Sequence, residues 1–223
     1  MTSVYVTVPN LHWVGASVAE RLLRLQRDGR YRLRITLPSN RPYENNQHHI
    51  VKDFLAGDWD YWLSIDADNP PRDNPLDLVE MDLDIVGLPT PIWHYTGEPG
   101  QRPIYFNAYC LSADGKGYNE YQPQRGLQKV DAIGTGCFLV ARRVFEHPDM
   151  QKGAFTRKLN PDGTVDKGND ISFCERAREA GFSVFAHFDY QCDHMCEISL
   201  LECIRAMNGL TESVALMVPQ GTA

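Results

Sequence analysis

Long apolar runs are missing from this 223-residue chain. Nothing approaches the roughly 20 residues that a membrane-spanning helix requires. The opening stretch Met1-Thr2-Ser3-Val4-Tyr5-Val6 lacks the charged and apolar regions of a signal peptide. A cytoplasmic location is therefore the expectation. Internal repeats and low-complexity tracts are also missing, which excludes solenoids and argues against a disordered chain. Positive charge is short: 22 Lys and Arg stand against 29 Asp and Glu, a net charge of −7. Proteins that hold nucleic acid mainly by charge lean the other way. No Cys-x-x-Cys pair occurs among the six cysteines. Cys192, His194 and Cys196 alternate and would share a face on a strand, but no second ligand pair accompanies them as a structural zinc site would need. The thiols read as reduced and mostly buried.

What is present suits one globular domain. Apolar residues make up 43% and charged residues 23%, enough for a core without disulfide staples. The acidity is uneven. Residues 1–60 hold eight Lys and Arg against six Asp and Glu, so the deficit lies beyond residue 60. Between Asp68 and Asp84 six acidic residues face the single Arg72. Within that stretch Asp73, Asp77, Glu80, Asp82 and Asp84 read as a solvated helix and its turns.

The first 90 residues alternate strand and helix. Ser3–Val8 is a β-rich run stopped by Pro9-Asn10. Ser17 precedes Glu20 at capping-box spacing, Val18, Leu22 and Leu25 follow at helical intervals, and Gly29 ends the helix. Tyr31–Leu37 is a second strand, residues 46–55 a second helix, and Tyr61–Ile65 a third strand, apolar almost throughout. A short helix over Pro75–Met81 and a strand over Asp84–Leu88 complete the run. This order predicts an α/β fold with a mostly parallel central sheet and helices on both faces. Ligands of such sheets sit beyond the carboxyl ends of the strands, where Pro9, Asn10, Ser39, Asp66 and Asp68 fall.

The second half is less regular. One strand is expected at Ile104–Leu111, others around Gly134-Thr135-Gly136, and a polar loop over residues 147–168. Asn169 or Asp170 then caps a helix, Phe182–Phe188 is a strand, and residues 197–208 form a last helix. The expected organisation is one domain over residues 1–209, with a ligand-binding half over 1–90, a second half over 91–209, and a tail over 210–223. Trp59 and Trp62 read as core, and Trp93 as core or a stacking surface. Cys137 reads as packing, since no His adjoins it.

Asp66-Ala67-Asp68 carries the chemistry. Residues two apart on a strand point the same way, so both carboxylates face one spot at the end of a buried strand. They repel each other unless a divalent cation lies between them and a phosphate-bearing ligand, an arrangement that suits Mg²⁺ or Mn²⁺. A plain polar turn is the alternative for these residue types.

The segment Asp60-Tyr-Trp-Leu-Ser-Ile-Asp-Ala-Asp68 resembles the strand and Asp-x-Asp motif of GT-A-fold glycosyltransferases, especially family 2-like members. Three further segments are similar in kind and order. Val4–Asn10 resembles their first strand and nucleotide-contacting turn. Asp131–Phe145, with Gly134-Thr135-Gly136, resembles their glycine-rich acceptor-side segment. Gly168–Phe182 resembles their Glu-Asp helix, with Asn169 where the Glu is usual. The resemblance spans about residues 3–200.

It implies a GT-A fold, Rossmann-like, and transfer of one sugar from a nucleotide-diphospho-sugar, a UDP-sugar favoured, to a hydroxyl acceptor. Asp66, Asp68 and His194 would serve a divalent cation, Mn²⁺ before Mg²⁺ because imidazole suits Mn²⁺ better. Asp170 would be the general base of an inverting reaction. Pro9, Asn10, Ser39, Asn46, Asp66, Gly134, Thr135 and Gly136 would contact the donor. Asn46 stands where many relatives carry Arg, so it could bond a base or ribose but not neutralise phosphate. Short stand-alone members resemble bacterial and bacteriophage enzymes, which leaves a saccharide, a protein, a small molecule or hydroxymethylated DNA bases as acceptor. The locally basic stretch Arg21–Arg34 keeps DNA among these. The processive-synthase signature Gln-x-x-Arg-Trp is absent, so single transfers are expected. A nucleotidyltransferase would normally show a Gly-rich phosphate loop with Lys near the first strand, and residues 9–17 hold only Gly15 and no Lys. A non-catalytic nucleotide-sugar-binding module is the remaining alternative.

Overall fold

The computed structural model describes residues 1–93, 104–197 and 199–217, with nothing said of the side chains of residues 210–217. Along the chain run β1 (Ser3–Thr7), α1 (Ala16–Leu25), β2 (Arg32–Thr36), α2 (Tyr43–Ala56), β3 (Tyr61–Ile65), a 3-10 helix (Pro75–Met81) and β4 (Ile85–Gly87). Short strands follow: β5 (Pro91–Trp93), β6 (Ile104–Phe106), β7 (Ala108–Leu111), β8 (Tyr118–Glu120), β9 (Leu127–Val130), β10 (Ala132–Ile133) and β11 (Cys137–Ala141). Then come α3 (Arg142–Glu146), α4 (Pro148–Gln151), β12 (Lys158–Leu159), β13 (Val165–Lys167), α5 (Asn169–Glu179), β14 (Val184–His187) and α6 (Leu200–Met217).

Seven strands form the central sheet in the order β2-β1-β3-β11-β4-β14-β9. β1 pairs parallel with β2 and β3, and β4 parallel with β14. β11 runs antiparallel between β3 and β4, and β9 antiparallel at the edge. The architecture is α/β with a mostly parallel sheet, as the strand and helix alternation predicts. Alternate residues of each strand feed two cores. Tyr5, Trp62 and Phe138 pack with α2 and α5, while Val4, Val6, Leu63 and Ile65 pack with α1 and the 3-10 helix. Trp62 is fully buried, and its indole N–H donates to Thr7 Oγ1 at 2.8 Å. Phe138, Phe145 and Phe155 surround its ring. Each such fully buried large side chain contributes on the order of 1.5–3 kcal/mol.

Several expectations are corrected. Gly15, not Ser17, is the N-cap of α1, without a side-chain cap bond, and the helix closes at Gln26 rather than Gly29. Helix α2 begins three residues earlier than the apolar spacing shows, at Tyr43 after Pro42. Neither Asn169 nor Asp170 caps α5; Gly168 does, and both lie inside the helix. The expected strand over residues 104–111 is two strands in different sheets. The polar stretch 147–168 contains α4 and the ribbon β12–β13. Helix α6 runs through Met217, into residues read from sequence as a tail. The acidic stretch after Asp68 is not merely solvated. Arg30 pairs with Asp28, Asp77 and Glu80, and Arg143 with Asp82 and Asp84.

Arg142 closes the end of α2. Its guanidinium donates to the carbonyls of Leu55 at 3.1 Å, Gly57 at 2.9 Å and Trp59 at 3.2 Å. A cation on the last carbonyls satisfies acceptors that the helix leaves unpaired and complements its dipole. Arg142→Ala should therefore lower the unfolding free energy by ~1–3 kcal/mol in urea titrations, with Arg142→Lys recovering only part of it. No loss on Arg142→Ala would show that solvent satisfies these carbonyls equally well.

Candidate active site

The site is built where β3 leaves the sheet. The Asp66 N–H donates to Gly136 O at 2.8 Å, and the Asn69 N–H to Asp66 O at 3.1 Å, which folds residues 66–69 into a tight turn. Gly15 N–H donates to Ala67 O at 2.7 Å and holds the turn from the other side.

A second segment is laced to this turn. Met195 N–H donates to Asp68 O at 2.9 Å, Asp193 N–H to Pro70 O at 3.1 Å, and Arg72 N–H to Gln191 O at 2.8 Å. Arg72 and Asp193 add an ion pair at 2.9 Å. The lacing sets His194 against Asp68, with Nε2 at 3.8 Å from Asp68 Oδ2. His194 Nδ1 lies 2.9 Å from Pro91 O. A carbonyl only accepts, so Nδ1 carries a proton, and Nε2 is the ring atom turned toward the carboxylate. Metal-ligating histidines are commonly oriented in this way, by a backbone carbonyl behind them.

Asp66 faces the other core. Its Oδ1 accepts from the Tyr43 hydroxyl at 3.1 Å, and that oxygen accepts from Gln47 Nε2 at 2.9 Å. Burial, together with the carboxylates of Asp68 and Asp170, pushes the Asp66 carboxyl up to about 7, against the Tyr43 hydrogen bond. Burial raises the Tyr43 hydroxyl well above its usual range, with Asp66 adding to the effect. Asp170 enters from the N-terminal turn of α5. Burial raises its carboxyl, opposed by the Ile171 N–H at 2.8 Å and by the charge of Arg157. The fold thus brings together carboxylates about a hundred residues apart in the chain.

The other expected residues have different places. Asn10 donates to the carbonyls of Val8 and Pro38 at 3.2 and 3.3 Å and accepts from His12 N–H at 2.9 Å. Asn46 is fully buried, donates to Pro38 O at 2.9 Å and accepts from Asn40 at 3.3 Å. Both amides hold the loops after β1 and β2 together through the Pro38 carbonyl. Pro9 is buried and Ser39 exposed. A Cβ on Gly134 would lie 2.0 Å from the Asn107 amide, and one on Gly136 2.7 Å from the Asn69 amide. These two glycines admit protein side chains, and Thr135 is buried between them. Cys137 is buried, its thiol pushed well up by Cys192 and by burial, which suits packing and not a nucleophile.

Tyr43 is a functional candidate that sequence reading missed, and Gln47, which sequence places among residues able to bond a base or ribose, instead donates to the Tyr43 hydroxyl. Starting α2 at Asn46 left Tyr43 outside the helix, although residues 43 and 47 share a face once Pro42 is taken as the cap.

Among the described residues no three His, Cys, Asp or Glu side chains form a ready-made metal cluster. The expected set Asp66, Asp68 and His194 is thus not gathered at one point; Asp68 and His194 pair, and Asp66 turns to Tyr43. The donors nevertheless fit a divalent cation of the kind bound by one or two carboxylates and completed by substrate phosphate.

No protein-family model matches the chain, and no curated protein sequence matches it. Among solved structures, the crystal structure of A197 from STIV is similar with a TM-score of 0.53 and 14% identity, over 88% of this chain and 87% of that one. That likeness is one of fold. GalNAc-T7 with UDP, GalNAc and Mn²⁺ aligns with a TM-score of 0.49 at 10% identity, over 89% of this chain and 44% of that one. UDP-glucose pyrophosphorylase complexed with UDP-glucose aligns with a TM-score of 0.47 at 8% identity, over 95% and 99%.

The Asp66 environment makes stability depend on pH. An unfolded Asp titrates near pH 4, so between about pH 4 and about 7 the folded chain holds an extra proton. The stability contributed by this group is complete below about pH 4 and is lost as the pH rises to about 7. With divalent cations chelated, Asp66→Asn should gain stability relative to wild type across that window in urea unfolding. A constant difference from acid to alkaline pH would show that Asp66 titrates like an exposed carboxyl.

Proposed function

We propose that the chain is a metal-dependent glycosyltransferase, moving one sugar from a nucleotide-diphospho-sugar to a hydroxyl acceptor. One observation carries this reading: His194 Nε2 faces the Asp68 carboxylate at a strand end, with Nδ1 held by the Pro91 carbonyl, and Asp66 and Asp170 lie close enough to act on one another. Such an acidic cluster favours a cation and, through it, an anionic leaving group. Asp68 and His194 would hold a divalent cation, with Asp66 beside them. When bound, it supplies positive charge that stabilises the departing diphosphate.

The chain's own groups do the rest. Tyr43 orients Asp66 by donating to Oδ1, which leaves the other carboxylate oxygen free. Asp170 takes the proton from the acceptor hydroxyl; burial raises its affinity for protons, which suits a general base. The lacing of residues 68–72 to 191–195 keeps the His194 ring in place. The site residues sit in both halves of a single domain over 1–209, and no helix among the described residues is long and apolar enough to cross a membrane.

A saccharide, protein or small-molecule acceptor is favoured over duplex DNA. Within the basic stretch three of the six arginines are ion-paired, Arg24 with Glu20, Arg30 with three carboxylates and Arg32 with Asp58, which reduces the charge open to phosphates in a chain already at −7.

A thermal-shift panel of nucleotide-sugars with and without Mn²⁺ tests the reading. A rise that needs both components is expected, and Asp68→Ala should abolish it along with donor hydrolysis and transfer. Asp170→Asn should lower kcat by ~10²–10⁴-fold while donor KM stays within about threefold. If no nucleotide-sugar gives a metal-dependent rise, the proposal fails.

A further inference from the structure

The carboxylates of the site raise a question of charge. Asp66, Asp68 and Asp170 crowd one region, and a donor diphosphate would bring further negative charge to it. Among the described residues, Asp66 is met by Tyr43 and by other carboxylates. Asp170 is met by one cation, Arg157.

The topology explains how Arg157 arrives there. Lys158 pairs with Lys167 in the antiparallel ribbon β12–β13, so Arg157 lies at the register position opposite Gly168, two residues before Asp170. One ribbon therefore delivers both the cation and the candidate base. Arg157 does not bind Asp170 directly. Its guanidinium Nε forms an ion pair with Glu44 Oε1, in the first turn of α2 and next to Tyr43, the residue that holds Asp66. The Arg157 side chain is 46% exposed and that of Glu44 27%, so the pair is open to solvent. Exposed pairs of this kind are weakly stabilising. Arg157 borders a cavity of about 600 Å³, Glu44 a second of about 250 Å³, and Thr156 lines both.

Resting on the glycosyltransferase reading, we propose that Arg157 is the side chain that grips the donor's diphosphate, exchanging Glu44 for phosphate oxygens when the donor binds. Guanidinium suits this exchange, because its planar fork meets phosphate with two parallel hydrogen bonds. A dianionic diphosphate outbids a single solvent-exposed carboxylate. Glu44 then acts as a stand-in that holds the Arg157 guanidinium before the donor arrives.

Titration calorimetry of the full chain with Mn²⁺ tests this, using UDP, GDP, CDP, dTDP and inorganic pyrophosphate as probes. Arg157→Gln should weaken the preferred nucleoside diphosphate and pyrophosphate by the same factor, ~10-fold or more, and leave the parent nucleoside unaffected. Glu44→Gln breaks the same ion pair but frees the guanidinium, so diphosphate affinity should hold or tighten. Thermal unfolding of both variants reports the structural worth of the pair, which should be small and equal. Unchanged affinity in Arg157→Gln would overturn the inference while leaving the glycosyltransferase reading in place. Equal weakening by Glu44→Gln would also overturn it, by showing that the bridge matters as structure. If wild type binds none of these probes with Mn²⁺, the reading of the site fails and this inference with it.

Discussion

Carboxylates crowded at the end of a buried strand set the terms for everything around them. Asp66 and Asp68 leave the sheet together, and Asp170 approaches from α5. Like charges this close are tolerated only if one stays protonated or a cation intervenes. Burial supports the first state by favouring the protonated Asp66 carboxyl, against the hydrogen bond that Tyr43 donates to it, and the second would draw on Asp68 and His194, which face each other. The departure from an all-protein cage follows from the same chemistry, since ions of this class keep positions open for phosphate.

Elsewhere the structure handles charge differently. The acidic run beyond Asp68 is met by arginines distant in sequence, Arg30 and Arg143, on the outer surface. Those pairs hold loops together at small individual gain. Among the described residues the site carboxylates have no arginine ion pair of this kind; Asp68 faces His194, and Asp170 feels the charge of Arg157. The contrast separates two uses of acid in one chain, structural pairing outside and an unneutralised cluster inside.

Much of the fold was legible because it rests on local pattern. The apolar run 61–65 could only be a buried strand, and the turn residues after it could only leave the sheet. The alternation of strands and helices over the first 90 residues implied parallel pairing, and it is there. Local pattern failed at helix starts. Ser17 and Asp170 have the right chemistry for caps, yet glycines occupy the cap positions because backbone packing decides them. At Gly15 a Cβ would lie only 3.0 Å from Ala67 O. Asn10 and Asn46 looked like ligand contacts because polar residues beyond strand ends often are. Both proved to be bonded to one carbonyl, that of Pro38.

By itself the sequence determined the strand end, the carboxylate pair on it and the mostly parallel sheet, since each follows from residue type and spacing along a few consecutive positions. Only the tertiary structure decided which distant groups meet that pair. Tyr43, Asp170 and His194 reach it through a helix face, a helix N-terminus and a laced loop. Arg157 reaches the rim through the register of a short ribbon. No periodicity encodes those meetings, because they depend on how separate elements pack against one sheet.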